Sequence, residues 1–308
     1  MKSARRILLF ALAAALLGGC AVLDTKQSEW IFRPVRDNWR GYQGLPEGVE
    51  EIWIKVPGKG DQRIHAWWMP QADGGAGTAG SAPGSRDAPA LLYLHGSRWN
   101  LTGSSFRIAK WREMGFSVLA IDYRGFGQSS GDLPSEAKAY EDAALAWDWL
   151  KAKMPDAQRR YIYGHSLGGA VAIDLAAKLG AHEAAGLITE STFTSVPDVV
   201  SASPYGWLPV GFLISQRFEA LEKIKKVALP KLLLHGTSDT VIPHAMSDAL
   251  FKAASEPKRL VKFDGASHSG IAWAAPAEYV EVVRAFLATT RARGSAAAAQ
   301  TQGRTEAR

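Results

Sequence analysis

The segment Gly164-His165-Ser166-Leu167-Gly168 has the form Gly-x-Ser-x-Gly, with a short apolar run before it and a longer amphipathic run after it. In that context the pattern is typical of a nucleophile elbow, a sharp strand-to-helix turn that raises a serine hydroxyl above a sheet. Glycines are needed on either side because larger side chains would collide with the neighbouring strands. We therefore predict that Ser166 is a nucleophile; a glycine-rich turn with an incidental serine is the alternative.

Two further residues could complete a proton relay with Ser166. Asp239 follows one predicted strand, in His235-Gly236-Thr237-Ser238-Asp239, and His268 follows the next strand. Because the carboxyl ends of parallel strands meet at one edge of a sheet, both side chains should lie near the serine. The chain order Ser, Asp, His is also the order that this arrangement requires.

The expected roles follow from the chemistry of the three groups. His268 would take the proton from Ser166 and later deliver it to the leaving group, while Asp239 would hold the imidazole tautomer. Asp264 is the rival acid, but it lies one strand too late.

An oxyanion that forms during acyl transfer needs two N–H donors. The N–H of Leu167, directly after the nucleophile, is predicted to be one of them. The loop His95-Gly96-Ser97-Arg98 follows an apolar run and should supply the other donor. There the Ser97 N–H is favoured, and the Arg98 N–H is the neighbouring alternative.

The elements that must position these residues can be predicted from hydrophobic periodicity. Short apolar runs alternate with longer amphipathic ones from Ala90 onward, which predicts βαβ units in a mostly parallel sheet with helices on both faces. An antiparallel pair joined by a turn rich in Gly and Pro is expected to open that sheet. Strands are predicted at residues 51–56, 63–69, 90–94, 117–121, 161–163, 185–189, 231–234 and 260–263, and helices at residues 106–114, 139–153, 167–179, 244–254 and 277–290.

The chain of 308 residues, 47% hydrophobic, is expected to fold around one large core. This domain should span residues 50–290, with residues 195–217, rich in Pro, Trp and Phe, as a small cap over the active site. Residues 20–49 are interpreted as an N-terminal linker, residues 71–89 as a flexible loop and residues 291–308 as a disordered tail.

The N-terminus has the pattern of an export signal. Three positively charged residues precede an apolar run at residues 7–17, which ends in Leu17-Gly18-Gly19-Cys20. We interpret residues 1–19 as a signal peptide, since the run is shorter than the roughly 20 apolar residues of a membrane span.

The end of that segment resembles the lipobox of bacterial lipoproteins, which implies that Cys20 is lipid-modified and becomes the first residue of the mature chain. The resemblance implies a protein of the cell envelope, anchored to a membrane and facing the periplasm, and Ala21 after the cysteine favours the outer membrane. An ordinary signal peptide or an uncleaved anchor, with an incidental cysteine, is the alternative. Cys20 is the only cysteine of the chain, so no intramolecular disulfide is expected.

Charge and motif content exclude several other classes of partner. The net charge of +6 comes from the two ends, and residues 20–290 are formally neutral, so binding to nucleic acid is not expected. No cluster of His, Cys or carboxylate has metal-ligand spacing, and neither a phosphate-cradling loop nor a dinucleotide fingerprint is present. We therefore expect no metal and no cofactor.

Taken together, the motifs resemble the α/β-hydrolase superfamily, over roughly residues 50–290. The segments that carry the resemblance are Leu94-His95-Gly96, Asp122-Tyr123-Arg124-Gly125-Phe126-Gly127-Gln128-Ser129, Gly164-His165-Ser166-Leu167-Gly168-Gly169, Glu190-Ser191-Thr192-Phe193, His235-Gly236-Thr237-Ser238-Asp239 and His268. The chain is similar in particular to serine hydrolases that include membrane-associated lipid and protein-depalmitoylating esterases. At Ser97 it departs from relatives, which commonly have Asn directly after His-Gly.

This resemblance implies the α/β-hydrolase fold and a hydrolase of carboxylic esters or thioesters (EC 3.1 class) that forms an acyl-enzyme. Small-molecule or lipid-like acyl esters are the expected substrates, because the predicted cap is rich in apolar residues. Of the loop aromatics, Trp99, Trp207 and Phe212 are expected either to line an acyl pocket or to form the core of the cap.

Two other functions remain compatible with the sequence. An amide or peptide hydrolase could use the same triad but needs better protonation of its leaving group. A surface lipoprotein could keep the fold as a binding module, although such a module has no physical need for Ser166, Asp239 and His268 together.

Overall fold

The computed structural model describes residue 19 and residues 22–45, 47–71 and 88–306. Cys20 and the predicted signal peptide, apart from Gly19, lie outside the described residues, as does most of the predicted loop 71–89. The strands are β1 (Glu50–Lys55), β2 (Arg63–Met69), β3 (Ala90–Leu94), β4 (Ser117–Ile121), β5 (Arg160–His165), β6 (Gly186–Glu190), β7 (Lys231–Gly236) and β8 (Lys258–Phe263).

These strands form one eight-stranded sheet in the order β1-β2-β4-β3-β5-β6-β7-β8. β1 and β2 are antiparallel to their neighbours, and every pair from β4 to β8 is parallel. β3 and β4 are buried along their whole length, as strands covered on both faces must be. The predicted antiparallel entry and mostly parallel sheet are confirmed.

Helices cover both faces of the sheet. They are α1 (residues 22–32), α2 (Leu101–Glu113), α3 (Glu136–Lys153), α4 (Leu167–Lys178), α5 (Val196–Ser201), α6 (Ala220–Ile224), α7 (Ala245–Ala253), α8 (Ile271–Ala274) and α9 (Pro276–Glu306). One apolar core lies between the sheet and the side of α3, α4, α6 and α7, and includes Trp147 and Leu250. The second core lies on the side of α2 and α9 and includes Trp111 and Phe286.

Helix α2 begins five residues earlier than predicted. The side chain of Asn100 accepts hydrogen bonds from the N–H groups of Thr102 (3.1 Å) and Gly103 (3.3 Å), which fixes the first turn. Periodicity missed this turn because its residues, Leu-Thr-Gly-Ser-Ser, include weak helix formers.

Both predicted irregular ends contain helix. In place of the expected linker, residues 22–32 form α1, which is hydrogen bonded to the segment 195–217. In place of the expected tail from residue 291, α9 continues to Glu306, across the alanine-rich stretch at residues 296–299. Alanine has the best helix propensity, so such a stretch can extend a helix that already has a packed beginning.

The predicted cap lies between β6 and α6 and consists of α5 and a 3-10 turn at Gly211–Leu213. Backbone hydrogen bonds from Val196 N–H to Arg217 O (2.8 Å) and from Leu221 N–H to Thr194 O (2.9 Å) close its base. None of the helices in the described ranges is long and apolar enough to cross a membrane.

Candidate active site

The turn between β5 and α4 has the geometry of a nucleophile elbow. Ser166 has φ 54° and ψ −120°, a backbone conformation that L residues rarely adopt. A Cβ added to Gly164 would lie 2.1 Å from Gly168 O, and one added to Gly168 would lie 2.1 Å from Leu94 O. Only glycine fits at both positions, which is why the strand can turn so sharply into the helix.

Neighbouring β6 holds the elbow in place from the side. The N–H of Ser166 donates to Glu190 O (2.8 Å), and the hydroxyl of Thr192 donates to Ser166 O (2.8 Å). Ser166 occupies the N-cap position of α4, but its side chain makes no capping hydrogen bond. Its hydroxyl is therefore free to interact above the sheet, and it lies 3.1 Å from Nε2 of His268.

His268 joins Ser166 to Asp239. Its Nδ1 lies 2.7 Å from Oδ2 of Asp239. The second oxygen of that carboxylate accepts the N–H groups of Val241 (2.9 Å) and Ile242 (2.8 Å), and His235 Nε2 lies 3.1 Å from Oδ2. The structure thus brings together the three residues of the predicted relay.

The electrostatic surroundings keep Asp239 ionised. Burial alone would raise its pKa, but hydrogen bonds from His235, His268 and the N–H of Ile242 hold the pKa well below its usual range. A carboxylate in this state accepts a hydrogen bond from Nδ1–H of His268, which leaves Nε2 available to take a proton from Ser166.

Asp264, the rival acid, lies elsewhere. It is exposed, and its carboxylate accepts the Thr237 hydroxyl at 3.0 Å. The carboxylate that reaches the imidazole of His268 is that of Asp239.

The N–H groups of Ser97 and Leu167, the predicted oxyanion donors, belong to residues that lie beside Ser166 in one cavity. Ser97 and Leu167 line the cavity that contains Ser166, and neither N–H has a hydrogen-bond partner among the described residues. The alternative donor is committed elsewhere, because the N–H of Arg98 donates to Phe32 O at 2.7 Å. This geometry favours Ser97 over Arg98.

A buried ion pair below the His268 loop was not foreseen from the sequence. Nη1 of Arg107 lies 2.5 Å from Oε1 of Glu190, and Nη2 donates to Ser269 O at 3.0 Å. The hydroxyls of Tyr163 and Tyr279 donate to the other carboxylate oxygen of Glu190, at 2.9 Å and 3.0 Å. The sequence does contain one signal for Glu190, because a carboxylate at the end of an apolar strand is unusual. The sequence of α2 contains no comparable signal that Arg107 is a buried partner.

The Arg107 guanidinium stays charged in this site. Burial alone would lower its pKa, but the carboxylate of Glu190 leaves the pKa raised overall. Arg107 therefore links the end of β6, the strand beside the nucleophile elbow, to the residue that follows His268.

Three other histidines have structural contacts. Nε2 of His165 lies 3.2 Å from His268 O, and burial together with Arg107 lowers the pKa of His165 well below its usual value, so it is neutral. His95 Nδ1 lies 2.6 Å from Gly96 O. His235 lies close to Ser247 and Ile242 O as well as to Asp239.

The Asp122–Arg124 segment forms a loop-fixing network. Oδ1 of Asp122 accepts the N–H of Leu101 at 2.8 Å, and Nε of Arg124 donates to Asp142 at 2.6 Å. These contacts fix the start of α2 and the turn before α3 and do not involve Ser166.

Ser166 opens into a cavity of about 1100 Å³. Apolar side chains from α1, the β3 loop and the cap dominate its wall; they include Trp30, Trp99, Phe193, Val199, Tyr205 and Leu213. Trp99 thus lines the pocket, which was the first of its two expected positions; the other was the core of the cap. For Trp207 and Phe212 both expectations were wrong, because these side chains neither line the cavity nor form a cap core but point into solvent.

Among the described residues that line this cavity, the ionisable side chains are arginine, histidine and tyrosine, and none is Asp or Glu. Arg33 and Arg98 are exposed on its wall and form no ion pair within the described part of the chain. Across all the residues that the structure describes, no group of three or more His, Cys, Asp or Glu is placed to hold a metal ion.

Comparisons with known proteins agree with this architecture. The family model described as serine aminopeptidase, S33, matches residues 87–221. An uncharacterised protein of Mycobacterium tuberculosis is 32% identical over 251 residues, covering 81% of this chain and 83% of the relative. Lysophosphatidylserine lipase ABHD12 of Danio rerio is 35% identical over 191 residues, covering 56% of this chain and 49% of the lipase.

A solved structure shares the fold over most of its length. The Pyrococcus furiosus esterase Pf2001 superposes with a TM-score of 0.64 at 20% identity, covering 83% of this chain and 97% of the esterase. At that identity the likeness is one of fold.

Proposed function

The chain belongs to the α/β-hydrolase superfamily of serine hydrolases, and we propose that it cleaves acyl esters of amphiphilic, lipid-like molecules through an acyl-enzyme on Ser166. The observation that carries this proposal is the continuous line of hydrogen bonds from Asp239 through His268 to Ser166, at 2.7 Å and 3.1 Å, inside an apolar cavity.

In the first half of the reaction, Oγ of Ser166 attacks the ester carbonyl carbon while its proton passes to Nε2 of His268. The carbonyl oxygen becomes an oxyanion, which the N–H groups of Ser97 and Leu167 stabilise. When the carbon–oxygen bond to the leaving group breaks, His268 gives its proton to the departing alcohol.

In the second half, water replaces the alcohol. It gives a proton to His268 and adds to the acyl carbon, and the imidazolium then protonates Ser166 as the carboxylic acid leaves. Asp239 stabilises the imidazolium in both halves and keeps Nε2 directed at the serine. A thioester would react by the same steps with a thiol as the leaving group.

The cavity supports a lipid-like substrate. Its volume of about 1100 Å³ slightly exceeds the range of typical ligand pockets, and its wall is largely apolar. The two exposed arginines on that wall, Arg33 and Arg98, could pair with an anionic group that lies outside the acyl site. The name of the vertebrate relatives, lysophosphatidylserine lipase, describes such an anionic lysolipid. We therefore propose anionic lysophospholipids as the first substrates to test.

An aminopeptidase is the second candidate, because the matching family model carries that description. Such an enzyme must bind the α-ammonium group of its substrate, for which a carboxylate is the ordinary partner. The described cavity lining offers arginines and no carboxylate, so the charge of the site favours an ester that carries a negative group.

The location inferred from the N-terminal sequence is also a proposal. We propose that residues 1–19 direct export and that Cys20 receives the lipid, which would hold the enzyme at a membrane with its domain in the periplasm. Lipid-like substrates would then be present at the surface to which the enzyme is anchored.

The test of function is hydrolysis of p-nitrophenyl esters from acetyl to palmitoyl by the chain from Ala21 onward. This chain keeps helices α1 to α9 and all eight strands. Ser166→Ala should lower turnover on the order of a million-fold. Ser238→Ala is the matched control, since Ser238 is an exposed serine at the same sheet edge.

Equal turnover by the Ser166→Ala and Ser238→Ala variants would show that Ser166 is not the nucleophile. Parallel assays with a lysophosphatidylglycerol and with aminoacyl p-nitroanilides separate the two candidate functions. Faster Ser166-dependent turnover of the anilides would favour the aminopeptidase.

A further inference from the structure

Large apolar side chains stand exposed on α1 and the cap. Four aromatic ones have most of their surface in solvent: Trp30 (67%), Tyr205 (68%), Trp207 (78%) and Phe212 (79%). With their aliphatic neighbours they form what we call the apolar collar: Val22, Leu23, Trp30, Tyr205, Trp207, Leu208, Phe212 and Leu213. A soluble protein rarely leaves such a contiguous set uncovered unless the set binds something.

The collar is one surface because α1 is tied to the cap. Nε2 of Gln27 donates to Leu213 O at 2.8 Å, and Oε1 of Gln27 accepts the N–H of Ser215 at 2.7 Å. Asp24, one turn earlier, accepts the hydroxyl of Ser215 (2.5 Å) and the amide of Gln216 (2.8 Å). These polar contacts fix the two exposed apolar groups side by side.

The collar also adjoins the catalytic cavity. Leu23 and Trp30 from α1, and Tyr205 and Leu213 from the cap, belong both to the collar and to the wall of the cavity that holds Ser166. Trp207 and Phe212 do not line the cavity, and most of their side-chain surface is exposed to solvent. The aromatic surface therefore continues from the inside of the pocket to the outside of the protein.

Three features indicate what covers this surface. Val22, the first collar residue, comes two positions after Cys20, the proposed site of lipid attachment. Trp and Tyr are the side chains that accumulate at a membrane–water interface. Arg33 and Arg98, exposed on the cavity wall without ion-pair partners in the described residues, carry the charge that attracts anionic headgroups.

We propose that the apolar collar inserts into an anionic lipid leaflet, so that the mouth of the cavity faces the bilayer. Lipid acyl chains then pass from the leaflet into the apolar pocket without crossing water, while headgroup phosphates meet the arginines. The part of the proposal that concerns substrate entry rests on the proposed esterase function, whereas the binding surface does not.

The test is flotation of the chain from Ala21 onward with vesicles of phosphatidylglycerol and phosphatidylethanolamine, and separately with vesicles of phosphatidylcholine. This chain lacks both Cys20 and the apolar run at residues 7–17, so neither can cause the binding. The wild-type chain should float with the anionic vesicles and less with the neutral ones. The double variant Trp207→Ser/Phe212→Ser should partition roughly tenfold less, because it removes two large apolar side chains from the collar.

Trp53→Ser is the matched control, since Trp53 is exposed on the edge strand β1 and belongs neither to the collar nor to the cavity wall. It should float like the wild type. Turnover of water-soluble p-nitrophenyl butyrate should be unchanged in the double variant, which shows that it folds and separates loss of membrane binding from failure of the esterase.

Two kinds of result would overturn the proposal. One is a wild-type chain that stays with the soluble fraction for both vesicle types, or a double variant that floats as well as Trp53→Ser. The other is a dimer in light scattering that the double variant converts to monomer, which would mean that a second copy of the chain covers the collar.

Discussion

Asp239 and Asp264 differ in the number of donors that reach their carboxylates. Two histidines and two backbone N–H groups converge on Asp239, whereas Asp264 accepts the hydroxyl of Thr237 at an exposed turn. An amide at position 239 could no longer hold the tautomer of His268 that presents an unprotonated Nε2 to Ser166.

We expect Asp239→Asn to lower kcat on soluble esters by about ten-thousand-fold, while Asp264→Asn keeps wild-type kcat. Steady-state kinetics on p-nitrophenyl butyrate measure both, and circular dichroism checks that each variant is folded. A large loss in Asp264→Asn with little loss in Asp239→Asn would reverse the assignment of the acid.

The Arg107–Glu190 pair should matter for both stability and turnover. Arg107→Met leaves the buried carboxylate of Glu190 without its cation, and removal of one partner of such a pair costs about 3–5 kcal/mol of unfolding free energy. It also removes the hydrogen bond to Ser269 O, next to His268, so kcat should fall more than KM changes.

The double variant Arg107→Met/Glu190→Gln should recover part of the lost stability, because no unpaired charge remains buried. Urea unfolding of the wild type, both single variants and the double variant forms the thermodynamic cycle. Additive losses across this cycle would mean that the two side chains do not act as a pair.

Residues whose chemistry depends on local context could be found from motifs. Ser166 lies between obligatory glycines, and Asp239 and His268 each follow a strand, so their types and spacing carry the prediction. Arg107 and Glu190 are 83 positions apart, and the sequence around each residue does not indicate that the other is its partner. Such a pair depends on how α2 packs against the sheet, which the sequence pattern does not specify.

Among the elements, those with a strong period were predictable. The strands of the central sheet and the helices α3 and α4 have apolar patterns that are detectable locally, and the structure contains them. Helix α1 escaped prediction because its stability comes from contacts with the cap, through Gln27 and Asp24, rather than from its own pattern. The start of α2 likewise depends on the side chain of Asn100.

Strand β7 begins with a buried lysine whose charge depends on folding. Burial lowers the pKa of Lys231 to about 8; Glu256 opposes this effect and Lys258 adds to it. In the unfolded chain the pKa is near 10.5. At a pH between these two values, Lys231 is mostly protonated in the unfolded chain and mostly neutral in the folded one. Since the unfolded state binds more protons there, the contribution of Lys231 to the free energy of unfolding rises with pH.

Lys231→Met removes that titration. We expect the melting temperature of the wild type minus that of Lys231→Met to increase as the pH rises from about 8 to about 10. Differential scanning fluorimetry measures both melting temperatures. Lys226→Met, at an exposed lysine, is the matched control. A difference between wild type and Lys231→Met that stays constant over this range would contradict the prediction.

At the scale of the whole molecule, the two ends differ from the domain between them. Residues 20–290 are formally neutral and hold the sheet, the cavity and the collar, while the excess positive charge lies before and after them. The class of fold could be predicted because it depends on the order of elements. The exposure of Trp207 and Phe212 could not, because it depends on which way the cap folds over the cavity.

Attachment of the whole molecule to a membrane through Cys20 can be tested by metabolic labelling. If this cysteine carries lipid, the full chain expressed in a Gram-negative bacterial host should incorporate radiolabelled palmitate, and Cys20→Ser should not. An acyl-enzyme on Ser166 could trap the same label, so Ser166→Ala is the necessary control. If the label persists in Ser166→Ala and is lost in Cys20→Ser, the lipid is attached to Cys20. Ser166 is then excluded as the site of attachment, and Cys20 is shown to be required. If the label is lost in Ser166→Ala instead, the label was attached to Ser166, and the hypothesis of a lipid anchor at Cys20 would be rejected. The apolar collar would then remain as the proposed contact with the bilayer.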